Sequence, residues 1–99
     1  MHKLPRSTLT LEKRAATLRT MLTQSATEYQ LIKAAGRVRE ARVQVLRAKI
    51  GTMPSVLRTP AENRRIAKLE CQIAALNEIA PDAILAEFQR TQLKVNYDS

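Results

Sequence analysis

The stretch MLTQSATEYQLIKAAGRVREARVQVLRAKIG, residues 21–51, decides the fold, because it reads either as the body of one long helix or as a helix restarting after a turn. Apolar residues recur in it with a seven-residue period that extends upstream and downstream. Leu11, Leu18, Ser25, Ile32, Arg39, Leu46 and Met53 form one row; Ala15, Leu22, Tyr29, Gly36, Val43 and Ile50 form the row beside it. Such a heptad marks helices that pack along a common seam. Ser25 followed three residues later by Glu28 is a capping-box pattern that would start a separate helix at residue 26. The apolar phase passes through SATE without a slip, so the periodicity predicts one helix over about residues 10–50.

Downstream, TPAENRR gives a sharp helix start. Thr59 is placed to cap, Pro60 occupies the first helical position, and Glu62 sits where a capping box needs an acid. Ile66, Leu69, Ile73 and Leu76 then make one apolar stripe at alternating spacings of three and four. The helix is expected over about residues 60–79, since Pro81 disfavours helical geometry before it. A last helix over about 82–95 buries Ile84, Leu85, Phe88 and Val95. Gly51, Pro54, Ser55 and Thr59 mark a loop short enough to make the first two helices antiparallel neighbours. The alanine rows Ala34, Ala41, Ala48 and Ala67, Ala74 are the expected contact between them.

These elements predict an all-α protein, residues 1–99 forming one helical domain. A long first helix folds into an antiparallel hairpin, and a third helix is added. At 1.5 Å per residue the first helix would be about 60 Å long and the second about 30 Å, so the chain cannot cover itself. A second copy is expected to complete an intertwined homodimeric bundle or coiled coil, with Leu18, Leu22, Tyr29, Ile32, Val43, Leu46 and Ile50 at the dimer interface.

The composition fits that reading. With 99 residues, 44% apolar content and only two glycines, the chain has a core's worth of side chains and no linker-like tract. No apolar run approaches the roughly 20 residues that cross a bilayer, and the amino-terminal residues lack a secretory signal, so a cytoplasmic protein with no membrane partner is expected. Cys71 is the only cysteine and His2 the only histidine, so one copy builds neither a disulfide nor a zinc site, and no metal or cofactor is expected.

Charge is distributed unevenly. Residues 1–50 hold eleven Lys and Arg against three Glu, whereas residues 51–99 hold six of each sign. A net charge of +8 concentrated in the first half suits an acidic protein surface or a nucleic acid. The candidate contacts are Lys33, Arg37, Arg39, Arg42, Arg47 and Lys49. On a helical wheel Lys33, Arg37 and Arg47 lie within about 40° of Lys33 with Glu40 among them, while Arg42 and Lys49 lie about 160–180° away and Arg39 about 240°. Arg39 occupies a heptad position, where an unpartnered guanidinium would be costly, so it is expected to pair with a Glu such as Glu62, Glu70 or Glu87, to snorkel to water, or to line an anion cleft with Lys49 or Arg42. A secondary cluster, Arg58, Glu62, Arg64 and Arg65, surrounds the helix start at Thr59, without the glycine-rich loop of a phosphate cradle.

Catalysis finds little support, since no close acidic pair is visible and the one histidine is at position 2. Only Tyr29, Phe88 and Tyr97 are aromatic, so no platform for stacking bases is expected. The function expected is a non-enzymatic helical interaction or scaffold module whose basic first half binds an acidic partner.

REARVQVLRAK at 39–49, Glu62 thirteen residues later and PDAILAEF at 81–88 resemble the all-helical chorismate mutase group over about residues 19–92. The resemblance implies an intertwined dimeric enzyme or anion-binding protein, with Lys49 and Glu62 on that family's lysine and glutamate. Met21, Val38 and Ala61 stand where the family has substrate-binding arginines, and its carboxyl-terminal glutamine has no counterpart here.

Overall fold

The computed structural model describes residues 5–98, with side chains through Gln92. Those residues form α1 (Arg6–Leu22), α2 (Glu28–Gly51), α3 (Pro60–Glu78) and α4 (Pro81–Asp98), and no strand occurs among them. None of these helices is long and apolar enough to cross a membrane.

The single helix expected over residues 10–50 is in fact two. The amide of Thr23 donates to the carbonyls of Thr20 and Met21 and closes α1. Thr27 is extended at φ −72° and ψ 157°; its Oγ1 accepts from the Gln30 amide at 3.2 Å, and Gln30 Oε1 accepts from the Thr27 amide at 3.0 Å. This reciprocal box satisfies two amides that a helix start would otherwise leave open. SATE therefore points to the right place, but the box is built two residues later, from Thr27 and Gln30 instead of Ser25 and Glu28. An unbroken heptad phase does not require an unbroken helix. The reversal lets α1 lie on α2 and bury apolar area that a straight rod would leave in water.

The core is the product of that reversal. Ala15 and Leu18 of α1 meet Ala34, Ala35 and Val38 of α2 and Ile84, Leu85 and Phe88 of α4; Leu18 and Val38 are fully buried. Small residues at 34 and 35 let the backbones approach. Gly36 lies under Pro81, where an added Cβ would come within 3.7 Å of the proline Cγ. The stripe expected on the last helix is buried at Ile84, Leu85 and Phe88, while Val95 lies outside the residues whose side chains are described.

Helix α2 packs against each of the other three helices, whereas among the described residues α3 packs only on α2. Thr59 caps α3 as its sequence predicts: Oγ1 accepts from the Glu62 amide at 3.1 Å, and Glu62 Oε1 accepts from the Thr59 amide at 3.0 Å. Ile66 is buried and Leu69, Ile73 and Leu76 are half-buried. The alanine rows are buried only in part: Ala41 is buried and Ala34 lies in the core with α1 and α4, whereas Ala48, Ala67 and Ala74 are exposed, and the larger residues of α3 take its inward side. The residues expected at a dimer interface differ in exposure, with Leu22, Ile32, Leu46 and Ile50 half-buried. Leu18 and Val43 are buried by their own chain and are not available to a partner, and Tyr29 is 75% exposed.

Replacing Thr27 by Ala is expected to cost about 1 kcal/mol in urea unfolding, the usual loss for a helix cap, whereas Ser25→Ala should be silent. Equal losses at both positions would place the cap elsewhere.

Candidate anion-binding groove

The six cations of α2 have different employment. Arg39 is half-buried, and its Nη1 donates to the carbonyl of Ile79 at 2.7 Å. Ile79 is the residue that closes α3, where carbonyls lack helical partners and the helix dipole is negative, so a guanidinium satisfies both the hydrogen bond and the charge. Arg39 thus pairs with none of Glu62, Glu70 and Glu87, and it acts as a clasp between α2 and the end of α3. The carboxylate partner belongs to Arg42 instead. Its Nη2 and Nη1 donate to the two oxygens of Glu87 at 2.8 and 3.1 Å, the forked geometry that suits a guanidinium and a carboxylate. Those hydrogen bonds, with the Arg42 charge, hold the Glu87 carboxyl below its ordinary 4.5 despite partial burial. Arg19 and Arg42 also lie 5.4 and 5.9 Å from the centre of the buried Phe88 ring, in cation–π range. Arg42 therefore ties α2 to α4.

Lys33 and Arg37 remain exposed on another side of α2. Between that side and α1 runs an open groove of about 680 Å³ lined by Arg14, Thr17, Met21, Gln24, Ser25, Ala26, Gln30, Lys33, Ala34 and Arg37. Three cations border it and no carboxylate does. Arg14 donates through Nη1 to the Arg37 carbonyl at 3.0 Å and stands 3.9 Å from Glu40, which fixes the α1 wall against α2. Past Arg14 a second depression of about 420 Å³ is lined by Arg14, Arg39, Glu40, Val43, Gln44, Arg47 and Asn77. Lys33, Arg37 and Arg47, which the helical wheel places together, thus border a basic strip that Arg14 joins from the neighbouring helix.

The remaining candidates are not gathered there. Lys49 is exposed and borders neither depression. Arg58 Nε donates to the Pro54 carbonyl inside the α2–α3 loop. Glu62 is occupied by the cap of α3; hydrogen bonds from the Thr59 amide and hydroxyl, with the charge of Arg58, lower its pKa. Arg64 and Arg65 are exposed and make no ion pair among the described residues. Neither Lys49 nor Glu62, the pair singled out by the mutase resemblance, lines either depression, and Val38 is sealed in the core.

Among the described residues no charged or polar residue is buried, and no cluster of three or more His, Cys, Asp and Glu side chains could hold a metal. The chemistry on offer is surface electrostatics. The chain matches no protein-family model, no curated protein and no solved structure.

Arg14 is the residue that sequence reasoning missed. Its signal was present, since it precedes the core residue Ala15, but it becomes a groove residue only once α1 folds back on α2.

These assignments separate clasps from groove cations. Arg39→Ala should cost roughly 1.5–3 kcal/mol of stability, the range for a hydrogen bond to a charged group, with polyanion binding by the folded fraction unchanged. Glu87→Gln should cost roughly 0.5–1 kcal/mol at pH 7, as for a partly solvated ion pair. Because the folded-state pKa of Glu87 is lowered, its contribution is complete above about pH 4.5 and is lost as pH falls through the lowered value. Urea unfolding of both proteins across pH 2.5–7 should therefore converge at the acid end.

Proposed function

We propose that the protein is a non-enzymatic, homodimeric helical module that holds a polyanionic partner in the groove between α1 and α2. The observation that carries the reading is the carboxylate-free lining in which Arg14, Lys33 and Arg37 converge. An isolated surface cation gains little from an anion in water, but several converging on one concave wall act together and draw in a ligand of repeated negative charge. The groove is only partly enclosed, which leaves room for a partner larger than a small buried ligand. Past Arg14 the second depression adds Arg39 and Arg47 but also the Glu40 carboxylate, so the carboxylate-free lining is that of the α1–α2 groove.

Dimerisation belongs to the same proposal. Leu46 and Ile50 on the carboxyl-terminal part of α2 and Leu69, Ile73 and Leu76 on α3 are half-buried, and α3 is covered by α2 alone. Residues 51–99 carry equal numbers of positive and negative side chains, so two copies can meet through this region without the repulsion that the basic half would impose. The antiparallel pairing of α2 with α3 would be the unit that a second copy covers.

A salt series tests the groove. With three to four cations engaged, affinity for a polyphosphate probe should fall by about 20- to 50-fold between 50 and 200 mM salt, and Lys33→Glu with Arg37→Glu should abolish binding at the higher salt. Binding that ignores salt, or survives the double substitution, would refute the reading. For the dimer, sedimentation equilibrium at micromolar concentrations should give twice the chain mass; a compact, stable monomer would refute it.

A further inference from the structure

We infer that the polyanion the groove takes is single-stranded nucleic acid, with one base stacked on Tyr29. The inference rests on the polyanion reading above and adds the ligand's class. Tyr29 is 75% exposed at the start of α2, beside the groove residues Ala26, Gln30 and Lys33 in sequence. The helical repeat sets its Cβ about 40° from that of Lys33 and about 80° from that of Arg37, on the side of Lys33 away from Gln30 and Ala34, so Tyr29 flanks the groove without lining it. It stands about 12 Å along the axis from Arg37 at 1.5 Å per residue. Among the aromatic residues whose side chains are described it alone faces water, since Phe88 is buried.

The groove lining adds two features that phosphate binding alone does not need. Met21, Ala26 and Ala34 contribute apolar surface, and Gln24 and Gln30 contribute side-chain amides. Gln30 gives its amide oxygen to the cap at Thr27, leaving the amide nitrogen to donate. A nucleic acid strand uses all of these together. Its phosphates meet Arg14, Lys33 and Arg37, a base face lies on the ring, and base edges reach the amides. Stacking on an exposed aromatic beside a cationic track is how single strands are held without sequence preference. A duplex keeps its base faces inside the stack, and so cannot use Tyr29 unless it opens. A polycarboxylate peptide has charge for the cations but need offer no flat face for the ring.

The test compares a labelled oligouridylate with polyphosphate, polyglutamate and a blunt DNA duplex at equal ionic strength. Oligouridylate should bind tightest. Tyr29→Ala should weaken it by about tenfold, while leaving polyphosphate binding and the circular dichroism of this exposed position unchanged. Tyr29→Phe should restore the affinity, because the ring and not the hydroxyl stacks. The chain has no tryptophan, so in a Tyr97→Phe background the emission of Tyr29 should be quenched by oligouridylate and not by polyphosphate. If polyphosphate, polyglutamate or the duplex binds as tightly as oligouridylate, or Tyr29→Ala affects every probe alike, the single-strand inference is overturned and the general polyanion groove stands. If none of the four probes binds at low salt, both fall.

Discussion

The exchange of hydrogen bonds between Thr27 and Gln30 ends the possibility of a continuous rod and starts α2 at a defined residue. Its own worth, on the order of 1 kcal/mol, is small beside what it permits. With α1 turned back, Leu18 and Ala15 reach Val38, Ala34 and Ala35, and α4 closes over the same residues with Ile84, Leu85 and Phe88. Burying a leucine or phenylalanine contributes roughly 1.5–3 kcal/mol, so the packing that follows the turn outweighs the turn itself several times over. The groove is a by-product of the same geometry, since it exists only because two helices of one chain lie side by side.

Arginine serves two ends in this molecule, and the difference lies in what each guanidinium meets. Arg39 and Arg42 are half-buried and spend their donors on the Ile79 carbonyl and the Glu87 carboxylate, each binding α2 to an element that follows it in the chain. Removing either partner would leave a partly desolvated group unsatisfied, which is costlier than the net worth of the bond. Lys33, Arg37 and Arg47 sit in water, where being charged costs little and a ligand has no strong existing partner to displace. Burial thus sorts five of the six cations of one helix into structural clasps and candidate contacts, a division that charge counting could not make.

Much of the fold was legible because it rests on local chemistry. The Thr59–Pro60–Glu62 start, the α3 stripe and the buried side of α4 follow from caps and periodicity that the chain states within a few residues. The break at 23–27 was half legible. Two overlapping capping patterns, Ser25 with Glu28 and Thr27 with Gln30, occupied one turn, and the continuous heptad argued against both. Periodicity could not decide, because a helix that folds back with its apolar side inward keeps the same phase. Arg39 is half-buried at its heptad position, and its partner is a backbone carbonyl at a helix end, a kind of acceptor that residue types do not advertise. The groove was legible only as an arc of Lys33, Arg37 and Arg47. Its other wall, with Arg14, depended on tertiary folding, as did the exposure of Tyr29 beside it.

Arg14 couples that folding to any ligand the groove takes. Its Nη1 is committed to the Arg37 carbonyl, and the residue lines the groove beside Thr17 and Met21. An anion touching Arg14 together with Lys33 or Arg37 would therefore bridge two helices whose apposition makes the core. Such a ligand binds the folded chain far better than the unfolded one, because separated helices offer the same cations without their convergence. At a concentration 100 times its dissociation constant it would add about 2.7 kcal/mol to folding stability by mass action alone. In a small domain that is a sizeable fraction of the whole. The site and the fold are in this sense one equilibrium: what stabilises α1 on α2 completes the groove, and what fills the groove holds α1 on α2.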